Sequence, residues 1–173
     1  MLNPMMGLGT RRYMKATAVR HLTVPIFRAM FDAYVEYTQS VGPDAVTSAC
    51  LVETFPRAKI NSVPNDACAF DNRGEWHNIS LIPNWNNRVD LDAYSKNWVH
   101  PLVDQLAELE KQDEHISKDQ RVVGSKGYFN GSFGNEKPSL VFGDKLPRLR
   151  ELKRKYDPKH VLNKWFPIVP ADM

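Results

Sequence analysis

Tyr128-Phe129-Asn130, a loop rich in Gly, Ser and Asn, Phe142-Gly143-Asp144, and then Leu146-Pro147-Arg148-Leu149-Arg150-Glu151-Leu152-Lys153-Arg154-Lys155-Tyr156 closed by Asp157-Pro158: on this stretch, continued to Ile168, turns the fold of the 173-residue chain. Leu146, Leu149, Leu152 and Tyr156 recur every three to four residues, which places them on one face of a helix. Asp144 is positioned to cap its N-terminus. Lys153, Arg154 and Lys155 sit in the last turns, where cations suit the helix dipole. Pro158 ends the helix by excluding helical geometry from the residue before it.

The chain around this stretch has the composition of one soluble globular domain, 42% hydrophobic and 25% charged with mean hydropathy −0.46. A net charge of +3 is too small to argue for nucleic acid, and much of the excess lies in the one basic helix. No apolar run reaches the length of a membrane span. Cys50 and Cys68 lie in apolar segments without metal-like spacing, so buried free thiols are expected over a disulfide. The histidines are scattered, and no Gly-rich phosphate loop or metal cluster is recognisable.

Upstream, residues 11–22 form an expected strand. Thr23 caps a helix with Pro25 in its first turn, and Ile26, Phe27, Met30, Phe31, Tyr34, Val35 and Thr38 give it one broad apolar face to about Gln39. Gly42-Pro43-Asp44 is a turn, Val46 to Phe55 a strand and Trp76 to Trp85 a further strand in which Ile79 and Leu81 alternate with Asn78 and Ser80. Leu91 to about Glu114 is a long helix with a kink expected at Pro101, and Asp90 and Asp92 are acids of its N-terminus. Arg121 to Phe129 supplies the last strand. This order predicts an α+β fold, an antiparallel sheet with its helices on one face and the other face exposed unless something binds there.

Two segments resemble the berberine-bridge-enzyme-like FAD-linked oxidoreductases. One is the C-terminal series Tyr128, Asn130, Phe142, Gly143, Asp144, Lys153, Lys155, Tyr156, Asp157, Pro158 and Val161. The other runs from Arg57 to Arg73, where Ile60, Val63, Pro64, Ala69, Phe70 and Arg73 agree with the family pattern while its two glycines and its Pro-His do not. The resemblance implies that residues 11–138 are a substrate domain whose sheet roofs a flavin, and that 139–173 are a C-terminal helix and tail packing on an FAD-binding domain. Residues 1–10 read as a ragged start, and the family's FAD-binding half is not in this sequence.

On the same basis Tyr128 and Asn130 are cofactor-binding candidates, the alternative for Asn130 being to satisfy backbone groups at a strand end. Asn78, Ser80 and Ile82 share a strand face and are candidate substrate-binding residues; otherwise they form a solvent-facing edge. The family acid at Asn78 and the tyrosine at Gly131 are both replaced, so no catalytic residue carries over. Two glycosylation sequons, at Asn78 and Asn130, read as coincidental. The implied function is the substrate-binding portion of an FAD-dependent oxidoreductase that passes hydride from a small organic substrate to flavin; the alternative is a truncated, non-catalytic homologue serving in association. No metal, nucleic-acid or membrane partner is expected, and the compartment stays open.

Overall fold

The computed structural model describes residues 9–45, 47–115 and 136–171. Its elements are β1 (Arg11–Arg12), β2 (Lys15–Val19), α1 (Val24–Val41), β3 (Ala49–Glu53), α2 (Arg57–Asn61), β4 (His77–Ile82), β5 (Asn84–Trp85), α3 (Asp92–Lys111), α4 (Pro138–Phe142) and α5 (Leu146–Tyr156). The expected strand at Arg121–Phe129 lies outside the described residues.

Strand β4 is the centre of an antiparallel sheet ordered β2-β4-β3. Arg11 opposite Trp85 and Lys15 opposite Leu81 keep one register, so β1 and β5 continue the β2–β4 ladder beyond an interruption. The interruption falls at Pro83, which has no N–H to donate, while its carbonyl still accepts from Tyr13 N at 3.1 Å. Beside it the Ser48 hydroxyl donates to Asn84 O at 2.9 Å and accepts from Asn84 N at 3.0 Å. One side chain thus satisfies both backbone groups of a fully buried residue.

Helices α1 and α3 cover one face of this sheet. Ile79 and Leu81 of β4 and Val19 of β2 pack against Ile26, Ala29 and Met30 of α1 and Val99, Leu102 and Leu106 of α3. Burial of each large aliphatic side chain contributes about 1.5–3 kcal/mol. Thr23 caps α1 as expected, accepting from Ile26 N at 3.5 Å, and Gly42 ends it with φ 65°. Tyr37 OH reaches Ser95 Oγ at 2.9 Å inside the α1–α3 contact, and the Trp98 indole donates to Ala33 O at 3.0 Å. The Arg11 guanidinium holds Asp92 with two 2.5 Å contacts, which ties β1 to the first turn of α3.

The apolar face read for α1 is corrected. Ile26, Ala29, Met30, Tyr37 and Val41 are buried, whereas Phe27 and Phe31 are exposed. The seven positions of that face span a wider arc than a three-stranded sheet and one neighbouring helix can cover, so only the stripe nearest them is taken up.

Around the C-terminal helix one expectation is corrected as well. Asp144 does not cap α5; it lies in a 3-10 turn, Gly143–Lys145, and no side chain caps the helix. That turn already gives Leu146 N a carbonyl partner at Gly143, so the helix continues from a formed turn. The stop is as expected but has a second cause. The Asp157 carboxylate accepts from Val161 N at 2.8 Å, Leu162 N at 2.9 Å and Lys153 Nζ at 2.6 Å, which folds the chain back after Pro158. The tail returns along α5, with Ala171 N on Arg150 O at 3.1 Å.

Candidate functional site

The face of β4 away from the helices carries Asn78, Ser80 and Ile82, as the alternation predicts. The ladder sets Asn78 between Ala18 and Glu53, Ser80 between Ala16 and Leu51, and Ile82 beside Ala49. Ala16, Ala18 and Ala49 make the flanks of this row small. All three candidate residues are buried within this chain, Asn78 to 1% exposure. The exposure expected for this face is therefore corrected: its centre is covered, and Leu51 on the outer strand is the large apolar side chain of this face that remains exposed. Burial also closes the Asn78 sequon to a glycan.

Asn78 Oδ1 has no hydrogen-bond partner among the described residues. Leaving a buried carboxamide oxygen unpaired costs about 1–3 kcal/mol, and an aliphatic residue would avoid that cost. The position is therefore poorly explained by stability and well suited to accept from a donor that arrives with a ligand. At the start of the same strand, burial pushes the pKa of His77 down, with the nearby Arg57 charge acting in the same direction. Arg57 is itself lowered by burial, and its Nε and Nη2 have no hydrogen-bond partner among the described residues.

A second cluster joins the family-like segment Arg57–Arg73 to the C-terminal helix. Lys145 and Asp71, 9% and 5% exposed, form a buried ion pair, and Lys145 Nζ also donates to Asn65 Oδ1 at 3.1 Å. Gly143, with φ 49°, lets the 3-10 turn approach the Asp71 carboxylate. Next to this pair Arg73 donates to Ile60 O at 2.8 Å and to Cys68 Sγ at 3.2 Å. Cys68 is exposed, which corrects the expectation of a buried thiol; the hydrogen bonding of its polar loop keeps it at the surface. Its thiol is held below the ordinary range, first by the Phe70 N–H and then by Arg73. Cys50 is the shielded one, pushed up to about 11 by burial. A cavity of about 590 Å³ opens here between Asn65, Cys68, Lys145, Arg148, Leu149 and Leu152.

Tyr128 and Asn130 lie outside the described residues. The structure brings Asn78, Ser80 and Ile82 together on one strand and adds Asp71, Lys145 and the Arg73–Cys68 contact, none of which was a candidate. Gly143 next to two polar residues was the local trace of that cluster; its partner Asp71 is too distant in sequence to have been found. His21 and His115 contact Asp113, and His100 contacts Tyr13, so these three scattered histidines are engaged in hydrogen bonds. Asp92 is taken by Arg11 and Trp85, and Asp90 by Arg88, in keeping with structural acids. Among the described residues no group of three or more His, Cys, Asp or Glu side chains could hold a metal ion, and no helix is long and apolar enough to cross a membrane.

Residues 127–165 match the family described as berberine and berberine like. The FAD-linked oxidoreductase pgmH of Aspergillus terreus is 36% identical over 130 residues, covering 72% of this chain and 26% of the relative. The FAD-linked oxidoreductase OXR1 of Pyricularia oryzae is 27% identical over 144 residues, covering 83% and 27%. The chain thus spans about a quarter of the length of the curated relatives it matches. Among solved structures, a glycopeptide hexose oxidase complexed with teicoplanin superposes with a TM-score of 0.69 at 20% identity, over 94% of this chain and 33% of the other. Berberine bridge enzyme superposes with a TM-score of 0.66 at 15% identity, over 94% and 34%. The fold carried by β4 and its covering helices is shared with these two structures, and the sequence matches mean that the chain belongs to the berberine-bridge-enzyme-like FAD-linked oxidoreductases.

Proposed function

We propose that this chain forms the substrate side of an FAD-dependent oxidoreductase that oxidises a small organic molecule by hydride transfer. Bound FAD would supply the electron sink. The observation that carries the proposal is the buried Asn78 Oδ1, unpaired among the described residues, on the strand face away from the helices. In this reading Asn78 accepts from a hydroxyl or N–H of the substrate, Ser80 offers a second polar contact, and Ile82 limits the apolar part of the pocket. An acceptor without a titratable proton orients the substrate; it does not remove a proton at neutral pH. Tyr128 and Asn130 are proposed to face the flavin.

The described residues fit one wall of a flavin site. No Gly-rich loop for the pyrophosphate is recognisable in the sequence, so the remainder of the site would come from an FAD-binding domain. The exposed side chains of the tail, Trp165 at 68% and Val169, with Val161 and Leu162 before them, suit a surface that packs on that domain. A second reading, a non-catalytic homologue, is favoured by asparagine in place of the family acid at 78 and glycine in place of the tyrosine at 131.

Joining this chain to the FAD-binding portion of pgmH separates the two. Anaerobic bleaching of the flavin by a substrate of that relative, slowed at least about tenfold by Asn78→Leu with unchanged flavin content, supports the oxidoreductase. Loaded flavin that no substrate reduces supports the non-catalytic homologue. The 173-residue chain alone is expected to purify without flavin absorbance; bound flavin there would overturn the division of the site.

A further inference from the structure

Phe27, Phe31 and Tyr34 of α1 do not join the core. With Met30 they face Ser48, Ala49, Cys50 and Val52 across an open apolar groove of about 380 Å³. Phe27 and Phe31 are exposed, at 48% and 59%. The groove runs beside β3, the outer strand of the described sheet, whose far edge pairs with no described strand. An apolar strand edge next to exposed aromatic side chains is an assembly hazard unless it is charged, kinked or covered. Residues 49–53 contain no proline and one charge, Glu53 at the end.

We infer that this face pairs with a second copy of the same chain, β3 against β3 in antiparallel order, so that two three-stranded sheets become one. A two-fold axis perpendicular to the sheet keeps both α1 helices on the same side. It sets them antiparallel beside the new strand pair, with the Phe27 and Phe31 ridges meeting across the axis. Charge favours a second copy as the occupant. Arg28 and Asp32, on the turn that carries Phe27 and Phe31, are mostly exposed and only 3.7 Å apart. Reversing one helix against the other brings Arg28 of one copy towards Asp32 of its partner and the reverse, so the rim is complementary to itself. The surface meets the Asn78 face only at Leu51, which projects from β3 on that side, and lies apart from the tail; the inference does not rest on the proposed function.

Sedimentation of the full 173-residue chain between about 1 and about 100 μM tests this. The expected result is a reversible monomer–dimer equilibrium. Leu51→Lys and Phe31→Glu, with far-ultraviolet dichroism unchanged, each weaken it at least about tenfold, since each places charge on the joined surface. Arg28→Asp and Asp32→Arg each weaken dimerisation, and the two together restore it, because the exchanged charges again meet opposite signs. A monomer throughout the range overturns the inference. So does a dimer indifferent to Leu51→Lys and Phe31→Glu, or a double exchange no better than the single ones.

Discussion

Gly143 lies so close to Asp71 that a Cβ built on it would stand 2.7 Å from the Asp71 Oδ2 atom. The backbone at Gly143 is also left-handed, φ 49°, where a side chain is strained whatever the space. Both constraints act against Gly143→Ala. The substitution is expected to lower unfolding free energy by about 1–3 kcal/mol, read from urea denaturation. A loss below a few tenths would mean that the turn relaxes without strain.

The pair beneath that turn should be more sensitive. Lys145→Met leaves the Asp71 carboxylate buried without its cation, and a loss of about 3–5 kcal/mol is expected by the same measurement. Lys145→Met combined with Asp71→Leu removes the stranded charge and should recover much of it. A double variant as unstable as Lys145→Met alone would place the loss in packing and not in charge.

Acid should release the tail from α5 at a defined point. Asp157 is held down to about 2 by Lys153 first and then by the Val161 and Leu162 amides. Because the folded value lies below the ordinary carboxyl value of about 3.9, the stabilisation is full above that value and is lost as pH falls through about 2. Amide exchange at Val161 and Leu162, followed down the pH scale and corrected for intrinsic rates, should show protection disappearing in that window. Asp157→Asn should remove the pH dependence.

Thiol chemistry should separate the cysteines. Cys68 is exposed beside Arg73 with a lowered pKa, and Cys50 is shielded with a raised one. Alkylation at neutral pH is expected at Cys68 at least about tenfold faster, read by peptide mass spectrometry. Arg73→Gln should slow it and move its pH midpoint upward; equal rates at the two cysteines would contradict the assignment.

Where one element carries its own periodicity or boundary signal, the sequence was sufficient. Alternation in β4 put Ile79 and Leu81 on the helix side and Asn78 and Ser80 on the other. Thr23 and Pro25 marked the start of α1, and Asp157-Pro158 the end of α5. What was not legible depends on distant partners. Phe27 and Phe31 fit the helical period as well as Ile26 does, and only the width of the sheet decides that they stay outside. Lys145 meets Asp71 across 74 positions, and nothing near either residue names the other. The candidate substrate face was readable as a strand face, but its burial and the unpaired Asn78 oxygen depend on what folds over it.

The single register shared by β1 and β2 leaves Tyr13 and Met14 no slack, although both stand between the two strands. One residue inserted there with β1 held against β5 would shift β2 by a position, turning Val19 away from the helices and bringing Ala18 under them. Deletion of a residue would do the same in the opposite sense. Length variation in homologous chains should therefore be absent from this two-residue bridge, or come in pairs that restore the faces, even where the identities of the two residues drift.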